Sequence, residues 1–179
     1  MKVYSLNRPL PADLSVQDAL KSYLDENGFT TEEYDLDSVK VTFWGWTFSI
    51  ANPPSRKLAI RFHDLHHLVT GYGTDPIGEA EISAWELRKG IRVFGIYVQA
   101  IIFMGTLLGL IHSPKRVWTA WNNSKGSTPL PLPSLDHYEY LLTLTLKELR
   151  EVYDVPLEGI AGRRVLNDNA PPRPEGVDD

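Results

Sequence analysis

Four side chains that could bind one divalent metal ion lie close together in the sequence. They are His63, Asp64, His67 and Glu79. If residues 54–71 form a helix, successive residues turn by about 100°, so Asp64 and His67 share an arc with His63. His66 falls about 60° to the other side of His63, which predicts that it is not a ligand.

A reversal of the chain would bring the fourth ligand to the histidines. Residues 70–78 are rich in glycine and other turn-forming residues, which let the chain double back. Glu79 follows directly and would face His63 and His67 across the turn. Two imidazoles and two carboxylates suit zinc, or iron or manganese where coordination positions stay open. In the alternative interpretation the histidines are partly buried polar residues of an amphipathic helix and the helix dipole favours Glu79. The spacing favours the metal site.

Capping residues, prolines and apolar spacing indicate the elements that would position this site. Helices are predicted over residues 16–26, 54–71, 76–89 and 136–153, with a shorter one from Thr31 and a short β-hairpin over residues 39–50. Ser15 and Gly28 bound the first helix, and Asp75 and Gly90 bound the helix over residues 76–89. The predicted fold is a mainly α, single-domain helical bundle.

The composition limits the classes of function. With 179 residues, 42% of them hydrophobic, the chain can form one domain with a substantial core. Its net charge of -5 argues against a nucleic-acid partner, which requires a basic face. It has no cysteine, so thiolate metal ligands are excluded. It has no Gly-rich dinucleotide fingerprint, so we expect no flavin or NAD of its own.

Residues 93–111 form a long apolar segment whose only clearly polar members are Gln99 and Thr106. A helix of this length could cross a bilayer. We expect a central buried helix or the wall of an apolar ligand pocket; the alternative is a membrane-embedded or interfacial helix. Gly105 and Gly109 would let another helix approach closely.

The two ends of the chain differ from the middle. The first residues lack the apolar run of a signal peptide, so we expect a cytoplasmic protein. Residues 165–179 are rich in proline and polar residues and are predicted to form a disordered tail. Residues 1–164 are then predicted to form one helical domain, with a metal site and an apolar segment that could bind lipid.

The pattern His63-Asp64-x-x-His67, followed after eleven residues by Glu79, resembles the metal motif of the coenzyme Q (ubiquinone) biosynthesis protein four family. Residues 23–29, 70–71 and 148–154 also resemble that family, and the resemblance covers about residues 16–156. The hairpin region and His66 depart from the family's usual pattern, so the chain resembles a divergent, bacterial-type member.

The resemblance implies a mainly α-helical protein that holds a divalent metal ion, usually described as zinc, and binds prenyl lipids at a membrane surface. The ligands would be His63, Asp64, His67 and Glu79. The activity would be decarboxylation and hydroxylation at ring carbon one of a prenylated hydroxybenzoate. A wall for the prenyl tail would be provided by Val93, Ile96, Tyr97, Ala100, Ile101, Met104 and Leu108.

Three classes of function follow as hypotheses. In the first, the protein is a metal-dependent decarboxylase, a lyase, in which Glu86 or His66 orients ligands or moves protons. In the second, it is a non-catalytic prenyl-lipid scaffold with a structural metal, because four protein ligands would close the site. In the third, it is a zinc hydrolase with Asp64 as the base. We expect a homo-oligomer, associated peripherally with a membrane and with other ubiquinone-synthesis proteins.

Overall fold

The computed structural model describes residues 10–43, 46–124 and 128–161. Within these ranges the chain forms seven α-helices and one two-stranded antiparallel sheet. The helices are α1 Val16–Asn27, α2 Pro54–Thr70, α3 Pro76–Lys89, α4 Ile96–His112, α5 Pro114–Asn123, α6 Leu135–Leu142 and α7 Leu146–Val152; the strands are β1 Ser38–Phe43 and β2 Trp46–Ala51. The predicted mainly α, single-domain fold is confirmed. The predicted tail over residues 165–179 lies outside the described ranges.

The helices next to the site begin and end where the capping residues indicate. The Ser15 side chain accepts from the Asp18 N–H at the start of α1, and Gly28 ends that helix with φ of 73°. The Asp75 carboxylate accepts from two backbone N–H groups at the start of α3, and Gly90 ends α3. These side chains replace hydrogen bonds that a helix end lacks.

A hairpin and a single 3-10 turn precede α2. Strands β1 and β2 pair in register from Ser38 with Ala51 to Phe43 with Trp46, which confirms the predicted hairpin. The predicted short helix from Thr31 is the 3-10 turn Thr31–Asp35. The Asn52 side chain donates to the carbonyls of Tyr34 and Leu36, so the turn is tied to the start of α2.

The single helix predicted over residues 136–153 is wrong, because the chain breaks between α6 and α7. Thr145 and Glu148 form a capping box that starts α7. The break also lets Ser15 form a β-bridge with Thr145. If α6 and α7 were one continuous helix, a backbone N–H group that this bridge needs would already donate to a carbonyl within the helix.

A buried arginine ties the end of α2 to both ends of the described chain. The Arg150 guanidinium donates to the carbonyls of Leu68 and Val69, each at 3.4 Å. It also donates to the carbonyls of Leu10 and Leu157. A cation at this position satisfies carbonyls that α2 leaves open and is favoured by the helix dipole.

The apolar helix α4 is buried on one face only, so the expectation of a central buried helix is wrong. Val98, Ile102, Thr106 and Gly109 face the protein, whereas large apolar side chains such as Ile96 (85% exposed) and Ile111 (68% exposed) face outward. The helix that the glycines admit is α3: a Cβ on Gly109 would lie 2.3 Å from the Ala80 Cβ. In the ranges the structure describes, no helix combines the length and hydropathy needed to cross a bilayer.

Candidate metal centre

Three of the four predicted ligands meet between α2 and the first turn of α3. The Nε2 atoms of His63 and His67 are 3.2 Å apart. The two Glu79 carboxylate oxygens lie 3.2 Å from His63 Nε2 and 3.4 Å from His67 Nε2. Among the described residues these three side chains form a group whose ligand atoms all lie within 4.8 Å of one another.

Hydrogen bonds at the far side of each ring orient the two imidazoles. His67 Nδ1 lies 3.0 Å from the Tyr72 carbonyl, and His63 Nδ1 lies 3.0 Å from Glu86 Oε1. A carbonyl or carboxylate oxygen only accepts, so both Nδ1 atoms donate. The Nε2 lone pairs are then available for one ion, as in metal sites where a carboxylate or carbonyl holds each ligating histidine.

The spacing of the three donors fits a divalent ion. Ligands about 2.0 Å from a tetrahedral zinc are about 3.3 Å from each other. The two Nε2 atoms are 3.2 Å apart, and each lies 3.2 or 3.4 Å from a different oxygen of Glu79. Two histidines and one carboxylate are also a donor set for iron with open positions. In either case the three side chains leave at least one coordination position for another molecule.

A tight turn brings α3 close to α2. Gly71 ends α2 with φ of 76°, a conformation that favours glycine. A Cβ on Gly78 would lie 2.1 Å from the Gly73 carbonyl oxygen, so only glycine permits this approach. The turn thereby presents the Tyr72 carbonyl to His67 and starts α3 beside the histidines.

The electrostatics of the site favour a bound cation. Burial alone would lower the pKa of His63, but Glu86 and Glu79 outweigh it and raise that pKa well above its usual range. Burial alone would raise the pKa of Glu79, but His67 and His63 outweigh it and lower that pKa to about 2. The two glutamates therefore stabilise a positive charge on His63, where a metal ion would replace the proton.

The fourth predicted ligand, Asp64, points to a different set of partners. Its carboxylate accepts from the Tyr23 hydroxyl at 3.3 Å and from the Tyr34 hydroxyl at 2.5 Å. Burial raises the pKa of Asp64, although His63 and the Tyr34 hydrogen bond oppose the shift. In the structure Asp64 is not part of the three-residue group, because both its oxygens already accept hydrogen bonds from tyrosines.

His66 and Glu86, the two candidates for an orienting or proton-moving role, lie directly behind the site. Glu86 Oε1 accepts from His63 Nδ1 and lies 2.7 Å from His66 Nδ1. Glu86 and His66 are both 1% exposed. The angular prediction that His66 is not a ligand agrees with this position, but it gave no sign that His66 bonds to Glu86.

Sequence reasoning also missed the aromatic residues around the site. The Tyr23 ring stacks on the His67 ring, with centroids 5.6 Å apart. Tyr23 belongs to the apolar stripe of α1, and a buried tyrosine hydroxyl requires a partner. That requirement was the available signal, but Asp64 as the partner becomes evident only when α1 and α2 are packed together.

The residues predicted to bind lipid lie along α4 and before it, away from the metal ligands in the sequence. Five are exposed and two, Val93 and Leu108, are partly buried. The five exposed residues are Ile96, Tyr97, Ala100, Ile101 and Met104. Instead of these, residues including Phe103, Leu110 and Trp118 line an apolar groove of about 230 Å³ between α3, α4 and α5. Neither His63, His67 nor Glu79 lines that groove.

Comparisons with known proteins identify no relative of this chain. No protein-family model matches it, and neither a curated protein nor a solved structure does. The functional conclusion therefore depends on the geometry of the site and on the resemblance of the motif.

Proposed function

We propose that the protein is a divalent-metal enzyme that acts on a prenylated aromatic acid at a membrane surface. The observation that carries the proposal is the three-donor group of His63, His67 and Glu79, with Asp64 bonded elsewhere. A structural zinc site is closed by four protein ligands, whereas a catalytic one keeps a position open. Three protein donors therefore favour catalysis over a purely structural metal.

The position of Asp64 also argues against the hydrolase hypothesis. A general base must accept a proton from an attacking water. Both oxygens of Asp64 accept from tyrosine hydroxyls, and burial raises the pKa of each hydroxyl above its usual range. Asp64 is thus surrounded by proton donors, and we assign it the role of holding Tyr23 against His67.

The exposure of the ligands indicates the direction from which a substrate would approach. The His67 side chain is fully buried, whereas those of His63 and Glu79 are 25% and 34% exposed. A carboxylate and phenol of the substrate would enter on the side of His63 and Glu79. A bound divalent ion would supply Lewis-acid stabilisation of negative charge on the ring oxygen. Glu86 and the Tyr72 carbonyl would keep both imidazoles oriented meanwhile.

The outer face of α4 and α5 supports the membrane part of the proposal. It carries exposed apolar side chains that include Ile96, Phe103, Ile111 and Trp118. Residues 87–135 contain six lysines and arginines and no aspartate or glutamate, although the whole chain has a net charge of -5. The sequence around this apolar face is therefore basic, although Lys89 is buried and Arg116 pairs with Glu81. An exposed apolar face in a basic stretch suits the interface of an anionic bilayer.

The resemblance to the coenzyme Q biosynthesis protein four family supports the choice of a prenylated hydroxybenzoate. It also supports zinc as the ion, decarboxylation or hydroxylation at ring carbon one as the reaction, and contacts with other ubiquinone-synthesis proteins. The same apolar face would serve a non-catalytic prenyl-lipid scaffold, which is the second candidate function. Turnover distinguishes the two.

Metal analysis and lipid extraction of the protein purified with its membranes test the proposal. We expect one divalent ion for each chain and a co-purified prenyl lipid, with release of carbon dioxide from a prenylated hydroxybenzoate. Metal and lipid without turnover would support the scaffold, and metal without lipid would support the hydrolase. Protein without metal would contradict all three.

Vesicle sedimentation tests the membrane face separately. Wild-type protein should sediment with anionic vesicles more than with zwitterionic ones. Ile111→Asp should reduce this binding, because it places a negative charge on the outer face. Leu36→Asp is the matched control, since Leu36 is also exposed but precedes the hairpin. Equal loss in both variants would contradict a role for the α4 and α5 face.

A further inference from the structure

The Glu86 carboxylate is buried and has few partners. It is 1% exposed, and burial of an isolated charge is costly unless hydrogen bonds compensate. Its Oε1 atom accepts from His63 Nδ1 at 3.0 Å and lies 2.7 Å from His66 Nδ1. Its Oε2 atom has no hydrogen-bond partner in the part of the chain that the structure describes. Both partners of Glu86 are therefore histidines on the same oxygen.

The His66 ring is held in one orientation by aromatic neighbours. It lies 5.3 Å from the Trp85 ring and 5.0 Å from the Tyr153 ring, between centroids. Because a carboxylate only accepts, His66 Nδ1 carries the hydrogen that it shares with Glu86. Its Nε2 has no partner among the described residues. The bond to Glu86 is thus the one hydrogen bond that the His66 ring makes there.

We propose that His66 is a positioning residue that acts on the metal ion through Glu86 and His63. The N–H group of His66 holds the Glu86 carboxylate in place, and Glu86 holds His63 in the tautomer whose Nε2 faces the ion. This inference rests on the proposed metal site but not on the proposed substrate or reaction. It assigns a role to a residue whose angular position on α2 excludes it as a ligand.

Binding of cobalt(II), followed by its visible absorption, tests the proposal with two substitutions. His66→Leu removes the hydrogen-bond donor. Loss of a group bonded directly to a ligand lowers metal affinity by about 10 to 100-fold, and His66 lies one hydrogen bond further out, so we expect a loss near the lower end, about 10-fold. His66→Asn retains an N–H near the position of Nδ1 and should stay within about threefold of wild type, as expected where the contact is kept. The absorption spectrum should change only in His66→Leu.

A packing control separates positioning from general destabilisation. Leu65→Ala removes a fully buried apolar side chain from the same helix and should lower the unfolding temperature without changing cobalt affinity or spectrum. If His66→Leu and His66→Asn bind cobalt equally well, or if Leu65→Ala weakens binding as much as His66→Leu, the proposal is overturned.

A double-mutant cycle tests whether His66 acts through Glu86. If it does, adding His66→Leu to Glu86→Leu, which removes both acceptor oxygens, should weaken cobalt binding little beyond the Glu86→Leu variant alone. Losses that multiply would mean two independent effects and would overturn the proposed route. A wild-type protein that binds no cobalt would overturn both the metal site and this inference, whereas failure of the His66 variants alone leaves the metal site intact.

The tautomer of His66 can be measured without any substitution, in case His66→Leu does not fold. In zinc-loaded wild-type protein labelled with 15N, long-range proton–nitrogen spectra should show the hydrogen of His66 on Nδ1. A His66 ring with its hydrogen on Nε2 alone would present a lone pair to Glu86 and would overturn the proposal.

Discussion

Helix α3 makes two opposite kinds of contact, one with α2 and one with α4. Toward α2 it extends Glu79 and Glu86, whose carboxylates meet imidazole nitrogens at distances of 2.7 to 3.4 Å. Toward α4 it presents small side chains, and a Cβ on Gly109 would lie 2.3 Å from that of Ala80. One contact joins side-chain tips and the other brings two backbones together.

The contact of α3 with α4 and its contact with α2 contribute differently to the protein. Close packing of small residues leaves little freedom for α3 to shift, so it fixes the positions from which the glutamates extend. The polar contact contributes the chemistry, but each buried charge in it must be compensated. Substitutions on the α2 side should therefore change metal binding, and substitutions on the α4 side should mainly change stability.

The largest expected effect is loss of the metal from His67→Ala. The substitution removes one of three converging donors, so the purified variant should contain no stoichiometric metal when measured by elemental mass spectrometry. Asp64→Asn is the matched control on the same helix, and it should retain the metal because Asp64 is bonded to tyrosines. Full metal content in His67→Ala, or none in Asp64→Asn, would contradict the three-residue ligand set.

The second-largest effect is expected from a substitution where α3 and α4 pack together through small residues. Gly109→Ala should lower the free energy of unfolding by about 1 to 3 kcal/mol, as overpacking commonly does. Gly105→Ala should cost less than about 1 kcal/mol. Its Cβ would meet the movable Ser83 hydroxyl and, at 3.3 Å, the Ser83 Cβ, and alanine favours the helix. Denaturant unfolding measures both. If both substitutions lowered the free energy of unfolding equally, the close approach of the α3 and α4 backbones would not be the reason that position 109 requires a small residue.

The stabilisation produced by zinc should increase with pH. Glu86 and Glu79 raise the pKa of His63 despite burial, so in metal-free protein the stability from its proton is present below pH about 6.5 and is lost as the pH rises through the raised pKa. Zinc instead requires the deprotonated ring. The difference in unfolding temperature with and without zinc should thus grow from acidic to mildly alkaline pH. A constant difference would contradict proton competition at His63.

The smallest expected effect is on the outer face of α4. Ile96→Ser should change the free energy of unfolding by less than about 0.5 kcal/mol, as is usual for exposed positions, since Ile96 is 85% exposed. Val98→Ser, on the buried face two residues later, is the comparison and should destabilise strongly. Thermal unfolding of both variants measures these effects. A large drop in the unfolding temperature of Ile96→Ser would contradict the prediction, because it would mean that this face is covered in solution.

Local chemistry explains which elements were predictable from the sequence. Ser15, Asp75 and Gly90 act on backbone groups within a few residues, so helix bounds at α1 and α3 follow from the sequence itself. The break before α7 also had a local signal, the pair Thr145 and Glu148, but the run of leucines around it favoured one continuous helix. Exposure of α4 could not be predicted, because apolar composition does not indicate which face is covered.

The site was predictable only as far as one helix and one turn determine it. His63 and His67 share an arc of α2, and the turn to Glu79 is short, so these three residues were identified together. The closer of the two partners of Asp64 comes from the 3-10 turn, 30 residues earlier in the chain. The bond between His66 and Glu86 depends on how α2 and α3 are rotated against each other. Neither contact follows from spacing along the sequence.

The hydrogen bonds of Arg150 can form only late in the synthesis of the protein. Arg150 donates to the carbonyls of Leu68 and Val69, which lie 82 and 81 residues earlier in the chain. As a nascent chain emerges from the ribosome, the histidine helix appears long before Arg150, and until then water must satisfy those carbonyls. The end of α2 therefore gains these hydrogen bonds only after α7 has been synthesised, well after Glu79 has been made.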